Sequence, residues 1–334
     1  MSAAAAPIEA SRERPADAAA RWARRNGWTL SLVGFFVLLL VFTKFIQPSY
    51  GTAGLQGLAI SILPLALAAA AQAIVVISGG IDLSVGSVIA LTSVVAAVSM
   101  DGQSEAFGVG AVVGVLLLGI VLGAINGSLV VVTRVPDIVV TLAMGFVWAG
   151  CALLVLETPG GGAAEWLKDL VNGPLGSPWI PKATLVLIVI VALVWIPVRR
   201  SRLGLSIYAV GSNPLAAFRS GVSVGRTKIA AYALMGLFCA LAGLSEIAST
   251  GVGTPVPGPY TLFSVAAIVL GGVSLAGGRG GLVGPIVAVL ILSLIRSDMT
   301  FLSVDTNLAL VAQGIILIGV VMVGSLIQLR RSRA

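Results

Sequence analysis

Long apolar runs, interrupted only by glycine, proline or single charged residues, constrain the fold of this chain most strongly. A helix needs about 20 apolar residues to cross a hydrocarbon core of about 30 Å. Only 10% of the residues are charged, against about a quarter in soluble domains. We therefore predict an all-α polytopic membrane protein with about ten transmembrane helices. The ten predicted spans lie at approximately 28–46, 55–78, 84–100, 107–132, 137–156, 183–198, 228–248, 261–276, 281–296 and 306–327.

The basic residues predict the orientation of these spans, because cytoplasmic loops of membrane proteins are enriched in lysine and arginine. With a cytoplasmic N-terminus, 16 of the 20 basic residues lie inside and four outside. We therefore predict that both termini are cytoplasmic, with a disordered basic arm at 1–27, a ten-helix domain at 28–329 and a basic tail at 330–334. The same distribution explains the net charge of +7 without nucleic acid as a partner. The four outer residues are Lys44, Lys168, Lys182 and Arg296.

Several kinds of chemistry are excluded by composition. The chain has no histidine, which rules out a Ser-His-Asp triad, an HExxH zinc site and a histidine proton relay. Cys151 and Cys239 stand alone in apolar runs, so we interpret them as small buried side chains rather than metal or redox ligands. No GxxxxGKS or GxxxxGKT motif could cradle ATP phosphates. We expect no catalytic residue, no metal site and no ATP site in this chain.

The inner stretch from Arg199 to Lys228 predicts a short helix. Asn213 is a favourable N-cap, Pro214 suits the first helical position, and Gly221 ends the helix after about two turns. A helix this short is not stable alone. It either lies on lipid headgroups, with Phe218 buried and Arg219 snorkelling, or inserts into a partner protein. Leu215, Ala216, Ala217 and Phe218 continue the helix, which we predict over 214–220.

Two glycine-rich junctions separate predicted spans. The first places Asp82 between the pair Gly79-Gly80 and the start of a helix, where a carboxylate stabilises the positive end of the helix dipole and, with Ser84, caps free amides. The alternative is a role in gating or in a contact between subunits. The second junction, Gly277–Gly281, repeats the pattern around Arg279. Together the candidate junction residues are Gly79, Gly80, Asp82, Ser84, Gly86 and Arg279.

Two further patterns concern packing and the outer surface. GxxxG-like spacing predicts close helix packing at three pairs, namely Gly110–Gly114, Gly119–Gly123 and Gly123–Gly127. The outer stretch from Glu157 to Lys182 predicts a short interfacial helix at 163–171. That stretch is either a tethering loop with aromatic anchors at the membrane surface or a docking surface for an extracytoplasmic partner.

Three segments resemble the permeases of ribose-type sugar ABC importers, and the resemblance covers residues 28–329. They are VISGGIDLSVGSVIAL (76–91), GSNPLAAFRSGVSVGRTKIAAYALMGLFCALAG (211–243) and IVLGGVSLAGGRGGLVGPIVAVL (268–290). The resemblance implies a ten-helix ABC permease domain in a bacterial inner membrane. It also implies a second permease copy, a periplasmic or lipid-anchored sugar-binding protein, and a cytoplasmic ABC ATPase that carries ATP and Mg. The ATPase would dock on residues 213–221, which include Asn213, Pro214, Leu215, Ala217, Phe218, Arg219 and Gly221.

A path for a neutral sugar needs hydrogen-bonding side chains within the spans. The candidates are the embedded amides Gln72, Asn126 and Gln313, the aromatics Phe146 and Trp148, and Glu246 as a gate or partner contact. For each amide the alternative is an inter-helix hydrogen bond. Two alternatives to a sugar permease also stay open. One is a permease for branched-chain amino acids or nucleosides, and the other is a stand-alone channel or facilitator, which leaves the capped inner helix unexplained.

Overall fold

The structure, a computed structural model, describes residues 27–305 and seven single positions beyond them. Those positions are Leu308, Val311, Gly314, Ile315, Ile318, Gly319 and Met322. The predicted basic arm up to residue 26 and the basic tail lie outside the described residues, as do Gln313 and most of the predicted tenth span. The count of ten spans and the cytoplasmic termini therefore stay predictions.

Twelve helices and one small hairpin make up the described part. They are α1 (Gly27–Ile46), α2 (Thr52–Ile77), α3 (Val85–Met100), α4 (Glu105–Thr133), α5 (Asp137–Val155), α6 (Glu165–Val171), β1 (Pro174–Leu175), β2 (Ser177–Pro181), α7 (Lys182–Arg200), α8 (Arg202–Ser212), α9 (Pro214–Arg219), α10 (Val224–Thr250), α11 (Tyr260–Leu270) and α12 (Val283–Phe301). Within α7, Val191–Trp195 form a π-helical turn. Seven helices are long and apolar enough to cross a membrane, and α3 and α11 are shorter apolar helices. These nine match the first nine predicted spans in order, which confirms an all-α polytopic membrane protein.

The helix α2 forms the centre of the bundle. In the most apolar part of α2, 83% of the residues are buried, and the run of small side chains at 65–73 allows α10, α11 and α12 to pack against it. Proline often kinks a helix, but α2 continues through Pro64 without a break. By contrast α1, α5 and α7 bury only 11%, 22% and 17% of the residues in their most apolar parts, as expected of helices at a lipid boundary.

Glycines bring α4 and α10 into backbone contact. A Cβ atom at Gly123 would lie 2.9 Å from the carbonyl carbon of Tyr232, and one at Gly236 would lie 2.8 Å from that of Gly119. The predictions for the pairs Gly119–Gly123 and Gly123–Gly127 are confirmed. The prediction for Gly110–Gly114 is wrong, because a Cβ at either position would meet nothing within 4 Å.

The predicted helix of the outer stretch is confirmed as α6. It is followed by the antiparallel hairpin of β1 and β2, which we did not predict. Two contacts tie this stretch to the end of α10. Gly160 and Gly253 exchange backbone hydrogen bonds at 3.2 and 2.8 Å, and the Asn172 side chain donates to the Ala248 carbonyl at 2.9 Å. The stretch is thus anchored to the helical bundle, and its place at the membrane surface stays a prediction.

Candidate functional site

The short inner helix α9 has the predicted geometry. Asn213 Oδ1 accepts a hydrogen bond from the Ala216 amide at 3.0 Å, and Gly221 ends the segment at a φ of +84°, a conformation that favours glycine. Ala217 is buried against the protein, whereas Leu215 is 58% and Phe218 is 67% exposed. Two large apolar side chains therefore project from a helix of fewer than two turns.

The preceding helix α8, which we did not predict, connects α9 to both glycine junctions. A Cβ atom at Gly211 would lie 2.7 Å from the Gly278 amide nitrogen, and that amide donates to the Ile77 carbonyl at 2.9 Å. A Cβ at Gly277 would lie 3.1 Å from the Gly79 Cα. The last turn of α8 and the two junctions thus meet through backbone contacts, immediately before the Asn213 cap. We call this contact of Gly79, Gly211, Gly277 and Gly278 the glycine hub.

A tyrosine adds a second link between α8 and the second junction. Tyr208 Oη donates to the Gly280 carbonyl at 2.8 Å. Burial raises the pKa of the Tyr208 hydroxyl above its ordinary value, although the charge of Arg199 acts in the opposite direction. The hydroxyl therefore keeps its proton and its role as donor. The Arg279 side chain, at the tip of the same junction, is exposed.

A buried polar cluster lies at the first junction. Asp82 Oδ1 accepts from the Ser84 amide and the Ser84 hydroxyl, both at 2.6 Å. Asn126 Nδ2 donates to Ser84 Oγ at 2.7 Å and to Asp82 Oδ2 at 3.4 Å. Trp148 Nε1 donates to Asn126 Oδ1 at 3.1 Å. The Gln72 amide, with its nitrogen facing the Asp82 carbonyl, donates there at 2.9 Å and accepts from the Asp82 amide at 3.3 Å.

Three of the predicted pathway residues, Gln72, Asn126 and Trp148, therefore form one buried network with Asp82. The bond between Asn126 of α4 and Trp148 of α5 is an inter-helix hydrogen bond, the alternative that we considered for the amides. Gln72 bonds instead to the backbone of the first junction. Asp82 binds the amide of Ser84, which precedes α3, and so orders the junction rather than capping the first turn of the helix. Phe146 is exposed on α5, away from this network. A direct role of any of them in the path stays a prediction.

A second polar cluster, which sequence reasoning missed, joins the first residue of α5 to the first turns of α10. Lys228 Nζ lies 3.1 Å from Asp137 Oδ2, and Tyr232 Oη donates to the same oxygen at 2.9 Å. Both charged side chains are about four-fifths buried. A Cβ atom at Gly80 would lie 2.8 Å from Tyr232 Oη, so the cluster packs directly on the first junction. A sequence signal for this cluster exists, because Asp137 and Lys228 are each the first residue of a predicted span.

The predicted gate residue Glu246 lines a cavity of about 420 Å³ between α2, α10, α11 and α12. Among its other lining residues are Tyr260 and Arg296. Next to Tyr260, Thr261 Oγ1 accepts from the Gly86 amide at 2.9 Å and donates to the Leu83 carbonyl at 3.4 Å. The first turn of α11 therefore lines the cavity through Tyr260 and contacts the first junction through Thr261.

Comparison with known proteins gives a family match over residues 54–321, to the model described as "Branched-chain amino acid transport system / permease component". The ribose import permease protein RbsC of Escherichia coli strain K12 is 34% identical over 265 residues, 77% of this chain and 81% of RbsC. The fructose import permease protein FrcC of Rhizobium meliloti is 32% identical, covering 86% of this chain and 81% of FrcC. The autoinducer 2 import system permease protein LsrD of Escherichia coli strain K12 is 29% identical, covering 92% and 95%. No solved structure matches significantly.

Proposed function

Because the chain belongs to this family of transport-system permease components, we propose that it is the membrane-spanning subunit of an ATP-driven monosaccharide importer in the bacterial inner membrane. A separate binding protein on the extracytoplasmic side would deliver the sugar, and a separate cytoplasmic ATPase would supply the energy.

A sugar is favoured over a branched-chain amino acid by the relatives. The family description names amino acids, but the three relatives described above import ribose, fructose and autoinducer 2. The junction string GGIDLSVG and the NPLAA helix start, which carry the resemblance to ribose-type permeases, are both present. A branched-chain amino acid remains the second candidate, on the strength of the family description.

The geometry of α9 is the observation that carries the ATPase partnership. Its exposed Leu215 and Phe218 would lose contact with water in an apolar groove of a partner. Its base rests on the glycine hub, so a force applied to α9 reaches both junctions through backbone contacts. A helix resting on lipid would have no need of this connection. We propose that ATP and Mg bind to the partner ATPase, since the sequence lacks a phosphate-cradling loop.

The test is reconstitution. Three preparations are compared in proteoliposomes. They contain the chain alone, the chain with its proposed partner ATPase, and the chain with both the ATPase and the binding protein. We expect no ATP hydrolysis by the chain alone. For the full complex we expect ATP-dependent uptake from a panel of D-ribose, D-fructose and L-leucine. Uptake of L-leucine alone would favour the second candidate, and uptake without the ATPase would favour a facilitator and contradict the proposal.

A further inference from the structure

The cavity around Glu246 lies in the outer half of the bundle. Glu246 lies one turn before the end of α10, and Ser61 lies nine residues into α2, about 13 Å from its outer end. Arg296 lies near the end of α12. By the predicted orientation all three are on the extracytoplasmic side. A volume of about 420 Å³ is within the range of small-molecule sites.

The lining chemistry suits a neutral solute with many hydroxyl groups. One acidic and one basic residue, Glu246 and Arg296, line the same space. The ion pairs between described residues join Lys168 to Glu165 and Lys228 to Asp137. Glu246 and Arg296 are thus not paired with each other. Hydroxyl groups come from α2, α12 and the segment before α11, beside aromatic rings from α11. The hydroxyl groups belong to Ser61, Thr254, Ser293, Ser297 and Thr300. The aromatic rings belong to Phe263 and to Tyr260, which adds a further hydroxyl group.

We propose that this cavity is a binding site for a monosaccharide on its way from the binding protein to the inner side. The Glu246 carboxylate accepts hydrogen bonds from sugar hydroxyls, the Arg296 guanidinium donates to sugar oxygens, and the Tyr260 ring packs on the C–H face of the sugar. Charge-assisted hydrogen bonds of this kind are stronger than neutral ones. The inference rests on the proposed function, and it assigns the substrate class to particular residues.

The contacts above and below the cavity support a place on the path. Thr254 lies at the rim of the cavity and directly follows Gly253 in the sequence. Gly253 exchanges backbone hydrogen bonds with Gly160 in the outer stretch. The floor of the cavity ends at α11, where Thr261 bonds to the first junction. A partner that moves the outer stretch would therefore act on the rim, and a movement of the junction would act on the floor.

The experiment measures protection of a thiol in the cavity. Cys151 and Cys239 are replaced by alanine, and Ser293→Cys is introduced as the probe position. Membrane vesicles are treated with a small water-soluble methanethiosulfonate reagent, with or without millimolar D-ribose, D-fructose or L-leucine. Thr250→Cys, at the exposed end of α10 and outside the lining, is the control. We expect a sugar to slow the labelling of Ser293→Cys and to leave that of Thr250→Cys unchanged.

A second variant tests the role of the carboxylate. Glu246→Gln should raise the half-protecting sugar concentration about tenfold, because a charge-assisted hydrogen bond becomes a neutral one. Glu165→Gln, which removes a carboxylate from the outer stretch, should leave that concentration unchanged. An unaltered labelling rate of Ser293→Cys without solute shows that the Glu246→Gln variant keeps its fold. An equal half-protecting concentration in Glu246→Gln and its parent would overturn the assignment of Glu246.

Protection and transport are measured separately, so that their failures can be distinguished. Sugar uptake by the reconstituted complex without protection would overturn the cavity site and leave the proposed function standing. Protection by a sugar without uptake would support the site and count against the importer. Protection by L-leucine alone would overturn the sugar class at this site, and the absence of both protection and uptake would overturn both proposals.

Discussion

Replacing Lys228 with methionine should destabilise the protein, because the partly buried Asp137 carboxylate then keeps, among the described residues, only the Tyr232 hydroxyl as a side-chain partner. Lys228 Nζ lies 3.2 and 3.1 Å from the two oxygens of Asp137. Breaking a fully buried ion pair from one side costs about 3–5 kcal/mol. The two side chains here keep 20% and 17% of their surface exposed, so solvent screens part of the interaction, and we expect a loss of about 2 kcal/mol.

The assay is thermal unfolding of the purified chain in detergent, followed by loss of the monodisperse peak in size-exclusion chromatography. Lys168→Met is the matched control, because its partner Glu165 is 73% exposed and an exposed pair contributes about 0–1 kcal/mol. The Asp137→Asn variant and the double variant complete a double-mutant cycle. We expect the double variant to be more stable than the sum of the single losses predicts. Equal melting temperatures for Lys228→Met and Lys168→Met, or strict additivity in the cycle, would refute the reasoning.

Three further predictions concern helix packing, the contact of α9 with the ATPase and the orientation in the membrane. Gly123→Ala should destabilise the bundle by about 1–3 kcal/mol through the clash with the Tyr232 backbone, whereas Gly110→Ala, which faces open space, should not lower the melting temperature. Phe218→Asp should weaken co-purification of the ATPase at least about a hundredfold by placing an unpaired charge in an apolar groove. The exposed Leu205 of α8, changed to Asp, should weaken it less, and equal retention of the ATPase by both variants would favour a lipid-surface helix. A single cysteine within 160–175 should be labelled from outside intact cells, and labelling only after permeabilisation would overturn the orientation.

The sequence predicts the helices well, because each span is a local property of a continuous apolar run. The helix α9 is also predictable, since Asn213, Pro214 and Gly221 carry its start and end within nine residues. The polar clusters are not predictable in this way. Asp82 and Asn126 are 44 positions apart, and Asp137 and Lys228 are 91 apart, so their contact depends on how the helices pack.

Two further differences between the predictions and the structure have separate causes. A GxxxG pattern indicates that one face of a helix carries only small residues, but close packing also requires a second helix on that face. The Gly119–Gly123 pair has α10 beside it, and the Gly110–Gly114 pair does not. The hairpin of β1 and β2 was missed because Pro174, Pro178 and Pro181 weaken any strand signal.

The helix α10 connects the two ends of the proposed mechanism. It follows α9 after four residues, carries Lys228 and Tyr232 in its first turns, and carries Glu246 near its other end. With 27 residues it is about 40 Å long. Near its middle, Gly236 packs against the backbone of Gly119 in α4. A continuous helix packed this closely moves as a rigid body more easily than it bends. A displacement of α9 by a partner would therefore tilt α10 about its contact with α4, which changes the Asp137 contact at the inner end and the cavity wall at the outer end together.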